Sequence, residues 1–177
     1  MAYGVSAWFD ATSEQRVREI WKDLYKKGIS STLHVGPYRP HITFGIYATL
    51  DLTSFAKALA KQAETMNVLP LFLPSIGLFP DSPPAGFLNI TVTDRLLSLH
   101  SLIHKLMAEL GSNPVQYYMP GRWNPHCTLA PDLTNAKLPD FAEFGATLKL
   151  PIEGTIDRIG IIDTPAEIEL KEILLCL

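Results

Sequence analysis

Two cysteines in 177 residues, Cys127 and Cys176, are too few for a framework of disulfides, so the fold has to hold through its core. Neither sign of charge dominates: 15 Lys and Arg face 18 Asp and Glu, for a net of −3. That balance supplies no broad basic footprint for duplex DNA. A nucleotide or an RNA end needs only a few local donors and is not excluded. No apolar run approaches the ~20 residues of a membrane span without a Pro or a charge. The opening Met1-Ala2-Tyr3-Gly4-Val5 lacks the basic and apolar regions of a signal peptide. There is no glycine-rich phosphate loop, no G-x-S-x-G and no acidic cluster of metal-ligand type. Chemistry that leans on those devices, on a metal or on a cofactor is therefore not expected. The length suits one domain over residues 1–177, and with no membrane segment the chain reads as a cytoplasmic monomer.

What the chain does contain is a mixed pattern of strands and helices. Val5 to Phe9 reads as a strand, followed by a helix capped at Thr12 or Ser13 and closed by Lys26-Lys27-Gly28. A loop with Gly36-Pro37 leads to a strand over His41 to Tyr47. Leu52 to Met66 has helical spacing, with Phe55, Leu59, Ala63 and Met66 on one stripe. Strands are read at Leu69 to Leu73, Ile76 to Phe79 and Phe87 to Thr93, and a helix at Leu96 to Leu110. After a loop with Pro114, Pro120 and Gly121 comes a strand from His126. A short helix over Asn135 to Phe144 follows, then strands at Leu148 to Glu153 and Thr155 to Ile162 joined near Gly154, and a last strand from Glu169 to Leu177. The order strand, helix, strand occurs twice, which reads as a duplicated α+β unit.

The duplication carries chemistry. Pro-His-x-Thr occurs at Pro40-His41-Ile42-Thr43 and again at Pro125-His126-Cys127-Thr128. Chance would supply ~0.03 copies of the pattern in a chain of this composition, so a coincidental pair is improbable. The histidines are 85 residues apart, close to half the chain. Along a strand side chains alternate between faces, so His41 and Thr43 point together, as do His126 and Thr128. Cys127 then faces the opposite, buried side as a small hydrophobe. Two facing pairs would offer a base, an acid and two hydroxyl donors around a small anion. Such a set suits a phosphate ester.

In these paired His-x-Thr motifs the chain resembles the two-histidine (LigT-like) phosphoesterase superfamily. The segment Tyr117-Tyr118-Met119-Pro120-Gly121-Arg122-Trp123-Asn124-Pro125 is similar to the lead-in found in bacterial 2′-5′ RNA ligase family proteins. The resemblance spans essentially the whole chain. It implies two lobes, each with a mainly antiparallel sheet, flanking a central groove with one motif on each wall and helices outside.

The expected chemistry is cleavage of a 2′,3′-cyclic phosphate or a 2′-5′ phosphodiester in a nucleotide or RNA end. One neutral His would take a proton from the nucleophile while the other, protonated, gives one to the departing oxygen. Thr43 and Thr128 would hold the non-bridging oxygens. The residues do not say which His is the base. Run in reverse, the same pair would ligate RNA; a non-catalytic nucleotide- or RNA-binding module is the competing reading. Tyr38, Arg39, Arg122 and Trp123 precede the motifs and are candidates to stack a base or hold a phosphate. Phe79 and Phe87 could also line the groove, although core packing is the favoured reading. His100 and His104 share a helix face at i and i+4, a spacing that admits a shared metal, but no third ligand stands out. They are read as lying on a solvated or partly buried face. His34 has no evident partner.

Overall fold

The structure is a computed structural model, and it describes residues 2–164 and 168–176. The first half of the chain forms β1 (Tyr3–Phe9), α1 (Ala11–Lys26), the single-turn α2 (Thr32–Val35), β2 (His41–Leu50) and α3 (Leu52–Ala63). Next come β3 (Leu69–Leu73), β4 (Ile76–Phe79), β5 (Ala85–Asn89), α4 (Asp94–Leu110) and β6 (Gly111–Pro114). The chain ends with β7 (His126–Ala130), α5 (Leu138–Ala146), β8 (Ile152–Asp163) and β9 (Ile168–Leu174). Met1 and Leu177, which the sequence reading placed in terminal segments, lie outside the described residues.

β1 is buried from Gly4 to Phe9 and has neighbours on both edges, the environment its apolar run suits. It pairs antiparallel with β2 and with β8. β6 extends the sheet beyond β2, while β3 and β9 lie along the far edge of β8. This gives a six-stranded sheet; the second sheet has three strands in the order β4-β5-β7. Both sheets are antiparallel, and the α+β duplication is visible in them. β1-α1-β2 and β5-α4-β7 each bring a motif strand antiparallel beside the strand that preceded its helix. The helices reach across the units: α1 packs on β8 and β1 of its own sheet and also on β7, and α4 packs on β2.

Helix ends explain where the elements stop. Asp10, rather than Thr12 or Ser13, caps α1: its Oδ1 accepts the N–H groups of both, each at 3.0 Å. Gly28, at φ +63°, ends that helix, with Gly28 N–H donating to Tyr25 O and Ile29 N–H to Leu24 O. Pro139 does not break α5 because it lies in the first turn, where its missing N–H costs nothing.

Three strand assignments differ from the sequence reading. β8 runs unbroken through Gly154, which is a site of close approach rather than a turn. A Cβ there would collide with the Ser13 hydroxyl and the Asp10 carboxylate at the start of α1. β5 stops at Asn89 and leaves Val92 exposed. β6, a Gly-Ser-Asn-Pro run that reads as loop, exists because β2 continues to Leu50 and offers it an edge.

Candidate functional site

Register places the motif side chains. On the first sheet Trp8 lies opposite His41 and Ser6 opposite Thr43; on the second, Asn89 lies opposite His126 and Phe87 opposite Thr128. Ile42, Phe44, Cys127 and Leu129 are buried, while the alternate residues His41, Thr43, His126 and Thr128 are partly exposed. The period of two thus turns both His-Thr pairs out of the core.

The two histidines are held in the same way. His41 Nδ1 lies 2.7 Å from Arg39 O, and His126 Nδ1 lies 2.7 Å from Asn124 O. A carbonyl only accepts, so Nδ1 carries the hydrogen in each ring and Nε2 is the nitrogen left for chemistry. An Nε2 that is bare in the neutral ring is a base; once protonated it is an acid. Burial pushes both rings below the ordinary imidazole range, against the opposing pull of those carbonyls. His41 is lowered further by repulsion from His126.

That repulsion requires the motifs to be neighbours, and β2 and β7 do pack together. Burial pushes the Cys127 thiol up to about 12, against the opposing pull of the His41 backbone N–H. Trp123, two residues before Pro125, donates its indole N–H to Thr43 O at 2.9 Å.

The helices that reach across supply matching supports. Trp21 on α1 donates its indole N–H to Thr128 O at 3.0 Å, and His104 on α4 donates Nε2–H to Phe44 O at 2.9 Å. Each motif strand is therefore tied to the helix of the other unit. His100 and His104 are 2% and 4% exposed, so their face of α4 is neither solvated nor partly buried but core. His100 lies parallel against Trp123, with ring centroids 4.0 Å apart, and its Nε2–H donates to Tyr118 O at 2.8 Å. Burial pushes His100 down to about 4, with repulsion from His104 adding to the effect and the Tyr118 carbonyl opposing it. No group of three His, Cys, Asp or Glu side chains among the described residues is placed to share a metal. His34 meets the Tyr25 ring at 4.9 Å.

Two unequal cavities flank the motif histidines. On the His126 side, a space of about 270 Å³ is lined by Phe79, Asp81, Tyr117, Tyr118, Arg122, Trp123 and Asn124. On the His41 side, about 170 Å³ is lined by Trp8, Pro37, Tyr38, Arg39, Ile162 and Glu169. A separate space of about 400 Å³ between the end of α3 and the start of α4 holds neither histidine.

The four flanking candidates differ in what they have left to offer. Arg39 donates to Glu14 Oε2 at 2.9 Å and to Glu172 Oε2 at 2.6 Å, approaches Glu169 at 3.5 Å, and covers the Trp8 ring. Its charge is already matched. Arg122 is exposed, and Trp123 walls the larger cavity while its stacking and indole bond fix its plane. Tyr38 walls the smaller cavity. Phe79 is no core residue: it sits edge-on to His126 at 4.8 Å and stacks on Phe87 at 4.1 Å. Phe87 is buried yet also meets His126, at 5.4 Å. Sequence reasoning missed Ser6 and Trp8, which only the β1–β2 register places beside the motif.

Solved structures with this fold include TT0787 of Thermus thermophilus, at TM-score 0.64 and 17% identity, covering 99% of this chain and 98% of that one. Escherichia coli LigT complexed with 3′-AMP matches at TM-score 0.64 and 16% identity, with the same coverages. Usb1 of Kluyveromyces marxianus is more distant, at TM-score 0.52 and 10% identity over 99% and 98% of the two chains. No protein of curated function matches the sequence. The profile of the 2′-5′ RNA ligase superfamily matches residues 49–166, which hold the second motif, while the first lies just before them. With two thirds of its length matched, the chain belongs to the 2′-5′ RNA ligase superfamily.

Proposed function

We propose that the protein is a metal-independent, cytoplasmic phosphodiesterase that opens a 2′,3′-cyclic phosphate or a 2′-5′ phosphodiester at a nucleotide or RNA end. The observation that carries this reading is the paired anchoring of His41 and His126 through Nδ1, which leaves two Nε2 atoms on strands that pack together, each with a Thr two residues on along the same face. Two such nitrogens match a reaction in which one proton is taken and another delivered. Thr43 and Thr128 donate to the non-bridging oxygens as charge builds there. Escherichia coli LigT has been crystallised with 3′-AMP and with phosphate, ligands of the corresponding chemistry.

The unequal cavities support an assignment of the two roles. The larger one has four aromatic side chains and Arg122, the surroundings a nucleoside needs. A nucleoside seated there puts the departing ribose oxygen beside His126, so His126 is the acid. His41 faces the smaller cavity, which suits a water, and is the base. Repulsion from a protonated His126 keeps His41 neutral, the state a base requires. Run backwards, with the roles exchanged, the same groups would join ends.

The test is a panel of 2′,3′-cyclic mononucleotides, 2′-5′ oligoadenylate, ADP-ribose 1″,2″-cyclic phosphate and RNA ends, all with EDTA present. Turnover of at least one is expected. Binding without turnover would leave a recognition module, and turnover abolished by EDTA would replace the two-histidine mechanism with a metal-bound hydroxide.

A further inference from the structure

Ser6 has a hydroxyl with nothing to bind. It is fully buried in the centre of β1, and its Oγ is one of two buried side-chain oxygens without a hydrogen-bond partner among the described residues. Leaving a buried hydroxyl unmatched disfavours the folded state, so such a group calls for an explanation.

The register narrows what Ser6 can meet. On β8 its opposite residue is Gly160, which has no side chain, and the Trp8 ring fills that space so closely that a Cβ on Gly160 would collide with it. On β2 its opposite residue is Thr43. Directly opposed side chains of an antiparallel pair have Cβ atoms about 5 Å apart, and Thr–Ser hydrogen bonds are a recurring pair at that distance. The side chains of Ala7 and Ile42 point to the other, core face. Thr43 is thus the one cross-strand side chain directly opposite Ser6.

We propose that Ser6 is a positioning residue for Thr43 in the proposed phosphodiester reaction, a role that rests on that reading of the site. Thr43 has a single hydroxyl proton, and the phosphate needs it. A donor on the Thr43 oxygen is what fixes the direction of that proton. Rotation of the Ser6 hydroxyl toward Thr43 Oγ1 gives the chain Ser6 O–H to Thr43 Oγ1, and Thr43 O–H to the phosphate oxygen, in which each bond polarises the next. No proton leaves either hydroxyl. The second unit has no equivalent, because Phe87 stands opposite Thr128.

The experiment is a double-mutant cycle on the intact chain, with a cyclic phosphate that the wild type turns over. Ser6→Ala is expected to lower kcat about fivefold to tenfold, the size of one neutral hydrogen bond, with KM within about twofold. The loss should vanish in a Thr43→Val background and persist in a Thr128→Val background. The melting temperature should hold or rise by up to about 4 °C, since an unmatched buried hydroxyl has been removed. Unchanged kcat in Ser6→Ala, an equal loss in both Thr backgrounds, or a lower melting temperature would overturn the role of Ser6 alone. A wild type without turnover on any phosphate ester would overturn the functional reading, and the role of Ser6 with it.

Discussion

β2 lies inside a six-stranded sheet with neighbours on both edges, whereas β7 is the outer strand of a three-stranded one. On each the His and Thr are presented alike: Nδ1 on the carbonyl two residues back at 2.7 Å, and an indole N–H on the Thr carbonyl. The surroundings diverge. The first motif is bordered by Ser6, Trp8 and an ion-pair cluster around Arg39; the second is bordered by Phe79, Phe87, Asn89 and an aromatic cavity. On the proposed function, what the two share is what proton transfer to and from the ester oxygens needs. What they do not share would orient a substrate with a large end and a small end. Substitution can break one kind of feature without the other.

The shared features should carry the largest effects. Replacing His41 or His126 with Ala is expected to lower kcat/KM by about 10² to 10⁴, the contribution of one general acid or base. The double mutant should be little worse than either single one, because the two act as a unit. A single mutant with full activity would remove that His from the mechanism. Thr43→Val and Thr128→Val should each cost roughly 2–4 kcal/mol of transition-state stabilisation, with the Ser variants largely active. Equal rates for the Val and Ser variants would make these residues strand formers only.

Acid should act on both rate and fold. The proposed mechanism requires the neutral form of one motif His and the protonated form of the other, so kcat/KM should follow a bell in pH. Burial lowers both rings, which places the maximum below the ordinary imidazole value near 6.5. The buried histidines, His100 among them, make the stability depend on pH. For His100 the folded pKa of about 4 lies below the unfolded value of 6.5, so the unfolded chain takes up the proton first. The stability it contributes is complete above pH 6.5 and is lost as pH falls toward 4, on the order of 3 kcal/mol. Denaturant titrations of the wild type and His100→Gln across that window should differ in slope. Parallel slopes would mean that His100 is not buried neutral.

The smallest expected effects come from the indole bonds. Trp21→Phe and Trp123→Phe each remove one donor, for about 1 kcal/mol. For Trp21, buried in α1, the loss should appear mainly in stability; for Trp123, which walls the larger cavity, it should appear in KM for substrates that carry a base. The same KM change in both would deny that the larger cavity seats the nucleoside.

The motifs, their facing direction and the order of elements were legible in the sequence because each rests on spacing within a few residues. The supports were not. Trp21 meets Thr128 across 107 positions, and His104 meets Phe44 across 60. No local pattern announces that each helix ties down the motif strand of the other unit. Arg39 reads as a phosphate holder until Glu14, Glu169 and Glu172 are folded against it. Gly154 reads as a turn because glycine often makes one, when its role is to admit Asp10 and Ser13. Ser6 is an ordinary strand residue until the register sets it opposite Thr43 and gives it no partner.

The central claim, that His126 is the acid on the nucleoside side and His41 the base, is tested most directly by changing the leaving group. In a cyclic substrate with sulfur in place of the departing ribose oxygen, at the 2′ or the 3′ position, the thiolate leaves without needing a proton. On that substrate His126→Ala should regain most of the activity it loses on the oxygen substrate, while His41→Ala stays impaired by about a hundredfold or more. Rescue of His41→Ala instead would exchange the two roles, and rescue of neither would contradict acid–base catalysis by this pair.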